Sequence, residues 1–158
     1  METLDSVKSD YELERGKPMP TWNHAVLQQR ILLSIATRYA EQFCVLPELN
    51  LSVNREKLVP DLAIFAGADS FLDHDIQLTT EMPVVAVEII SPSQPVVELT
   101  TKAEQYLRAG VKSCWVVIPE FKQVVVSTQI GDYEAFGRHE ILRDPVTGIE
   151  LNLTSLFR

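Results

Sequence analysis

The chain has 158 residues, enough for one ordinary domain with its own core. Hydrophobic residues make up 46% and charged residues 23%, which excludes a disordered chain. The formal net charge of −8 argues against a sticky, non-specific polyanion binder, though not against a local basic face.

The apolar runs fall well short of the roughly 20 residues a membrane helix needs. The acidic start "METLDSVKSDYELERG" lacks the apolar stretch of a signal peptide. Cys44 in "EQFCVL" and Cys114 in "KSCWVV" read as reduced core residues of a cytoplasmic protein. With these two cysteines and three histidines, no zinc cluster is in view. Residues 61–81 carry Asp61, Asp69, Asp73, Asp75 and Glu81 without a Lys or Arg. Basic residues recur from Lys102 onward, so the C-terminal half is where a polyanion would be met.

In chain order, residues 1–10 read as a loose leader and residues 11–158 as one domain. "YELERGKPMP" reads as a short strand and turn, because Tyr11 and Leu13 alternate with charges before Gly16 and two prolines. Thr21 or Asn23 caps a helix running from His24 to about Phe43. Its stripe is Leu27, Ile31, Leu32, Ile35, Ala36, Tyr39 and Phe43. His24, in the first turn, reads as an exposed or capping residue. "LNLSV" and "LVPDLAIFAG" form a hairpin around the polar turn "NREK", with Pro60 marking a bulge, strand end or edge.

Residues 67–82 are a polar, acidic loop, and "PVVAVEII" is a buried strand ended by the loop "SPSQP". Thr100 or Thr101 caps a second helix, "KAEQYLRAG", stopped by Gly110. "SCWVVIP" and "QVVVSTQ" are strands; "YEAFGRHEIL" and "GIELNL" are two more, joined by the turn "DPVTG". The order predicts one mixed α/β sheet. The helix crossover implies parallel pairing of Pro83–Ile90 with Cys114–Ile118, which accounts for both being apolar throughout.

Two carboxylates break this apolar pattern. Glu88 shares a strand face with Val84, Ala86 and Ile90, and Asp61 opens the run "DLAIFAG". A buried, unpaired carboxylate costs several kcal/mol, about enough to make it take up a proton instead. Glu88 therefore needs a Lys or Arg, backbone donors from "SPSQ", or a metal ion shared with another acid. Two such acids in one small sheet suit Mg²⁺, which binds through one or two carboxylates and keeps several waters. Lys102, at the start of the second helix beside the buried stripe, is placed to aim its ammonium at the sheet end.

"PD" at Pro60-Asp61, Glu88 in "VEIISPS", and the string from Lys102 through "GVKSCWVVIP" together resemble the Uma2 family. The resemblance spans nearly the whole chain. It implies the α/β fold of the PD-(D/E)XK restriction-endonuclease-like superfamily: one domain, a mixed sheet flanked by helices. It also implies Mg²⁺- or Mn²⁺-dependent hydrolysis of DNA phosphodiester bonds. By position, Asp61 and Glu88 become catalytic metal ligands. Glu48 becomes a third ligand or a group behind the ligands, and Glu12 a further candidate for that part. The usual lysine position, two residues after the second acid, holds Ile90, and Lys102 matches a lysine supplied from the following helix. A homodimer suits a nuclease that cuts two strands. The alternative is a catalytically inactive member that binds nucleic acid or protein. A two-carboxylate glycoside hydrolase would leave Lys102 unexplained and lacks the aromatic-rich surface for sugars.

Overall fold

The computed structural model describes residues 8–158. Most of the ten-residue leader, residues 1–7, lies outside the described residues. Ser9 caps the first helix and Asp10 opens it. Among the described residues, no helix is long and apolar enough to cross a membrane.

Where a strand was predicted, a helix forms: α1, Asp10–Arg15. Ser9 and Glu12 cap each other's backbone, which satisfies two N–H groups that a first turn leaves bare. Gly16 ends the helix at φ 70°, a left-handed conformation that costs glycine little. Tyr11 and Leu13 are both exposed, so their alternation did not report a buried face.

Helix α2, Trp22–Arg38, starts at the Thr21 cap and buries Leu27, Ile31 and Ile35. It ends before the predicted Phe43. The chain turns at Tyr39, whose carbonyl accepts from the N–H groups of Gln42 and Phe43. Phe43 keeps helical spacing from Tyr39 through that turn, and the two rings pack edge to face at 6.3 Å. It opens strand β1, Phe43–Pro47.

The hairpin predicted between "LNLSV" and "LVPDLAIFAG" gives way to two nested pairs, the outer one using β1, which the sequence did not mark as a strand. Strands β2, Leu51–Val53, and β3, Glu56–Leu58, form a small antiparallel pair. They sit inside the longer pairing of β1 with β4, Leu62–Ala66. Pro60 falls between β3 and β4, at a strand entry. After the loop comes β5, Val85–Ile89, and then α3, Val96–Arg108. Strands β6, Ser113–Ile118, β7, Gln123–Gln129, and β8, Asp132–Gly137, complete a six-stranded sheet in the order β1-β4-β5-β6-β7-β8. As predicted, β5 and β6 are parallel. Strands β9, Ile141–Arg143, and β10, Glu150–Asn152, form the terminal hairpin ahead of α4, Leu153–Leu156. The predicted strand "YEAFGRHEIL" thus divides between β8 and β9.

The sheet separates two cores. On one face α2 and the terminal hairpin cover Val85, Val87, Ile89, Trp115 and Val117. On the other, Ala103 and Tyr106 of α3 pack with Ala86 and Cys114. Alternation puts Glu88 on the Ala86 side, under α3. Helix α3 begins five residues before the predicted Thr101 cap, with Pro95 as its N-cap. Thr100 and Thr101 instead hydrogen-bond back to the Val97 carbonyl at 2.9 Å each. Lys102 therefore lies in mid-helix and not in a first turn.

Candidate active site

Three acids line up across three neighbouring strands. Pro47 of β1 pairs with Leu62 of β4, and Leu62 pairs with Val87 of β5. One step along that register brings Glu48, Asp61 and Glu88 side by side. The Glu48 N–H donates to the Asp61 carbonyl at 3.3 Å, which fixes the first step. Adjacent like charges repel, so a row of this kind folds only with cations between its members.

Those cations come from the segment just after α1. Arg15 Nη2 lies 2.6 Å from the Glu48 carboxylate and 3.0 Å from Asp61 Oδ1. Lys17 Nζ lies 3.0 Å from Asp61 Oδ1 and 2.9 Å from Glu88 Oε2. Arg15 thus fills the gap between the first two acids, and Lys17 the gap between the second and third. Glu12 holds this segment in place: beyond its cap with Ser9, its Oε1 accepts from the Met19 N–H at 3.1 Å. Those two backbone donors, Ser9 and Met19, draw its carboxyl below the usual range. Glu12 touches none of the three acids, so it is a positioning residue here and not a ligand.

Every remaining oxygen of the central pair has a donor. Asp61 Oδ2 accepts from the Ile89 N–H at 2.6 Å, and His24 Nε2 stands 3.0 Å from Asp61 Oδ1. Glu88 Oε1 accepts from the Tyr106 hydroxyl at 2.8 Å. Gln28 Nε2 spans Glu48 Oε1 at 2.9 Å and the Asp61 carbonyl at 2.8 Å. His24 is neither the exposed nor the capping residue expected: it is buried against Asp61, and its Nδ1 has no partner. Asp61, Glu88 and Lys17 are 1%, 4% and 6% exposed, so the central triad is closed to solvent.

Burial pushes the Asp61 carboxyl up, but His24, the Lys17 charge and the Ile89 N–H together hold it at about 2. Burial likewise pulls the Lys17 ammonium down, and the charges of Glu88 and Asp61 more than offset that and raise it. Both groups stay ionised at neutral pH.

The predicted acids Asp61, Glu88 and Glu48 are brought together, and Lys102 is not among their partners. Lys102 is half-buried and lines a cleft of about 550 Å³ with Lys8, Glu12, Lys17, Gln94 and Glu98. The ammonium that meets the two acids is that of Lys17. Arg15, Lys17, His24, Gln28 and Tyr106 all belong to the cluster, and the sequence reading missed all five in this role.

The chain matches the family Uma2, described as "Putative restriction endonuclease", over residues 6–154. The chain belongs to the Uma2 family. A similar solved structure is described as a putative nuclease belonging to DUF820 from Anabaena variabilis ATCC 29413. It superposes with a TM-score of 0.75 at 21% identity, covering 89% of this chain and 83% of that one. At that identity the likeness concerns the fold. No curated protein matches.

The resemblance to the PD-(D/E)XK superfamily implies a divalent metal, and the residues of this chain do not fit one as they stand. The place between Asp61 and Glu88 holds an ammonium. Each oxygen of the two acids already has a protein donor, and the positive charges of Lys17 and Arg15 are opposed by acids at contact distance. Among the described residues, no group of three or more His, Cys, Asp or Glu side chains is arranged to hold a metal.

Proposed function

We propose that this Uma2 protein is a nuclease-fold module that binds nucleic acid without cutting it. The observation that carries this reading is the Lys17 ammonium lodged between Asp61 and Glu88, with all three groups buried. Hydrolysis needs an attacking water and a phosphate at the acids. A sealed, charge-matched triad admits neither. The accessible chemistry lies next door, in the cleft where Lys8 and Lys102 stand. There Lys102 serves as a phosphate contact. The −8 net charge and the cleft's own Glu12 and Glu98 keep the affinity low.

A second reading, a Mg²⁺- or Mn²⁺-dependent DNA endonuclease, is favoured by the family's description as a putative restriction endonuclease and by the convergence of Asp61 and Glu88. It requires Lys17 to leave a buried position where two acids hold it.

The test pairs fluorescence anisotropy with a cleavage assay on duplex, single-stranded and branched DNA. The module reading expects dissociation constants on the order of 10⁻⁶ to 10⁻⁴ M at physiological salt. It expects weakening in Lys102→Ala and no product with Mg²⁺ or Mn²⁺. Cleavage that disappears in Asp61→Asn would establish the endonuclease reading. Absence of binding to every DNA form would remove both.

A further inference from the structure

We infer that Lys17 is a built-in counter-cation occupying a latent site for a divalent, oxygen-seeking metal, and that this one side chain keeps the protein metal-free. The inference rests on the metal-free reading above and deepens it.

Three observations lead to it. First, Asp61 and Glu88 each reach one nitrogen, at 3.0 and 2.9 Å, from neighbouring strands, so their carboxylates already converge on a single cation-sized position. Second, that position is filled from outside the sheet. Lys17 follows α1 and is held there by the Gly16 turn and the Met19–Glu12 bond, while the acids belong to β5 and to the entry of β4. The acids' placement is fixed by strand register and does not depend on Lys17. Third, the acid pair is rigidly supported on its far side by the Ile89 N–H and the Tyr106 hydroxyl. Support of that kind orients carboxylates for whatever cation they face.

A lysine ammonium carries one charge and donates to two acids. A Mg²⁺ or Mn²⁺ ion carries two charges and takes oxygen donors at shorter range. Exchanging the ammonium for a carboxylate leaves three acids around the same position, a donor set of the hard-cation type. Exchange for a neutral side chain leaves two acids without a counter-charge, which a divalent ion would then relieve.

The experiment is calorimetric titration of Mn²⁺ into wild type, Lys17→Glu and Lys17→Met, with melting temperatures recorded at each Mn²⁺ concentration. Wild type is expected to show no binding that depends on Asp61 or Glu88. Lys17→Glu is expected to bind one Mn²⁺ per chain at concentrations where wild type shows no such site, and to melt higher as Mn²⁺ is added. Adding Glu88→Gln to Lys17→Glu removes both effects. Where Lys17→Glu is unfolded without metal, folding restored by Mn²⁺ supports the inference equally. Failure of both Lys17 variants to respond to Mn²⁺, in binding and in melting temperature, overturns it and leaves the nucleic-acid reading standing. Binding by wild type that Asp61→Asn abolishes overturns both.

Discussion

Asp61 and Glu88 stand opposite each other on antiparallel strands, and one ammonium, that of Lys17, lies within 3.0 Å of each. An arrangement this deeply buried is stable only as a set. Continuum arguments and experiment agree that removing one partner of a buried ion pair costs about 3–5 kcal/mol, because the other charge is left uncompensated. Lys17→Met is therefore expected to lower stability to denaturant by about that amount. Urea unfolding monitored by circular dichroism checks it. A change below about 1 kcal/mol, the range of exposed pairs, would mean that the triad is open to water.

The acid limb of the stability curve follows from Asp61. Its folded carboxyl is held at about 2, below its unfolded value. A depressed carboxyl contributes stability that is complete above the unfolded value and is lost as pH falls through the folded one. Wild type is expected to lose about 2 kcal/mol between pH 5 and 2 through this residue, with Asp61→Asn flattening that limb. Denaturant midpoints across pH 2–7 measure it.

The alkaline limb has the opposite sign. The Lys17 ammonium is raised above its unfolded value, so its contribution is complete below that value and is lost as pH rises through the folded one. Wild type is expected to weaken only at strongly alkaline pH, and Lys17→Met to lose that dependence. A loss of stability near pH 8 that tracks Lys17 would contradict the charge assignment.

Tyr106 contributes the neutral end of the network. Burial, together with the negative charge of Glu88, pushes its phenol well above the ordinary tyrosine value. In ultraviolet titration, one tyrosine is expected to ionise only upon unfolding, and Tyr106→Phe to remove that late step. The same substitution strips Glu88 Oε1 of its donor, at a cost of about 1–3 kcal/mol.

The two thiols differ in a way that is simple to read. Burial, aided by the Glu88 charge, pushes Cys114 up to about 12, while Cys44 is half-buried and raised less. Ellman's reagent is expected to modify Cys44 in the native protein and Cys114 only after denaturation. Prompt reaction of both would mean that α3 does not cover Cys114.

The fold was legible in the sequence wherever periodicity and burial coincide. The apolar runs around Val87 and Val116 gave the parallel β5–β6 pair, and the stripe Leu27, Ile31, Ile35 gave α2. Patterns failed where a side chain's reason for being there was not packing. Tyr11 and Leu13 alternate yet face solvent, and the real signal in that stretch was the Ser9–Glu12 capping pair followed by Gly16. Thr100 and Thr101 have the chemistry of caps, but Pro95 supplied an earlier start.

The site was half legible. Asp61 and Glu88 announced themselves as acids in apolar strands, whereas Glu48 came only with the family resemblance, and its place beside Asp61 comes from the β1–β4 register. Lys17 and Arg15 carried no such mark. They lie in a polar, Gly- and Pro-rich stretch where charge is ordinary, and only the tertiary fold brings them 44 and 46 residues away in sequence to Asp61. The sequence did hold one usable clue. Glu88 demands a counter-charge, which Lys17 supplies in place of the expected Lys102.

What occupies the space between Asp61 and Glu88 separates an ammonium-filled site from a metal centre. Crystals soaked in Mn²⁺ and measured for anomalous scattering test it directly. An empty anomalous map is expected at that position, with the Lys17 nitrogen within hydrogen-bond reach of both acids. A manganese peak between the two carboxylates, with Lys17 turned away, would contradict it.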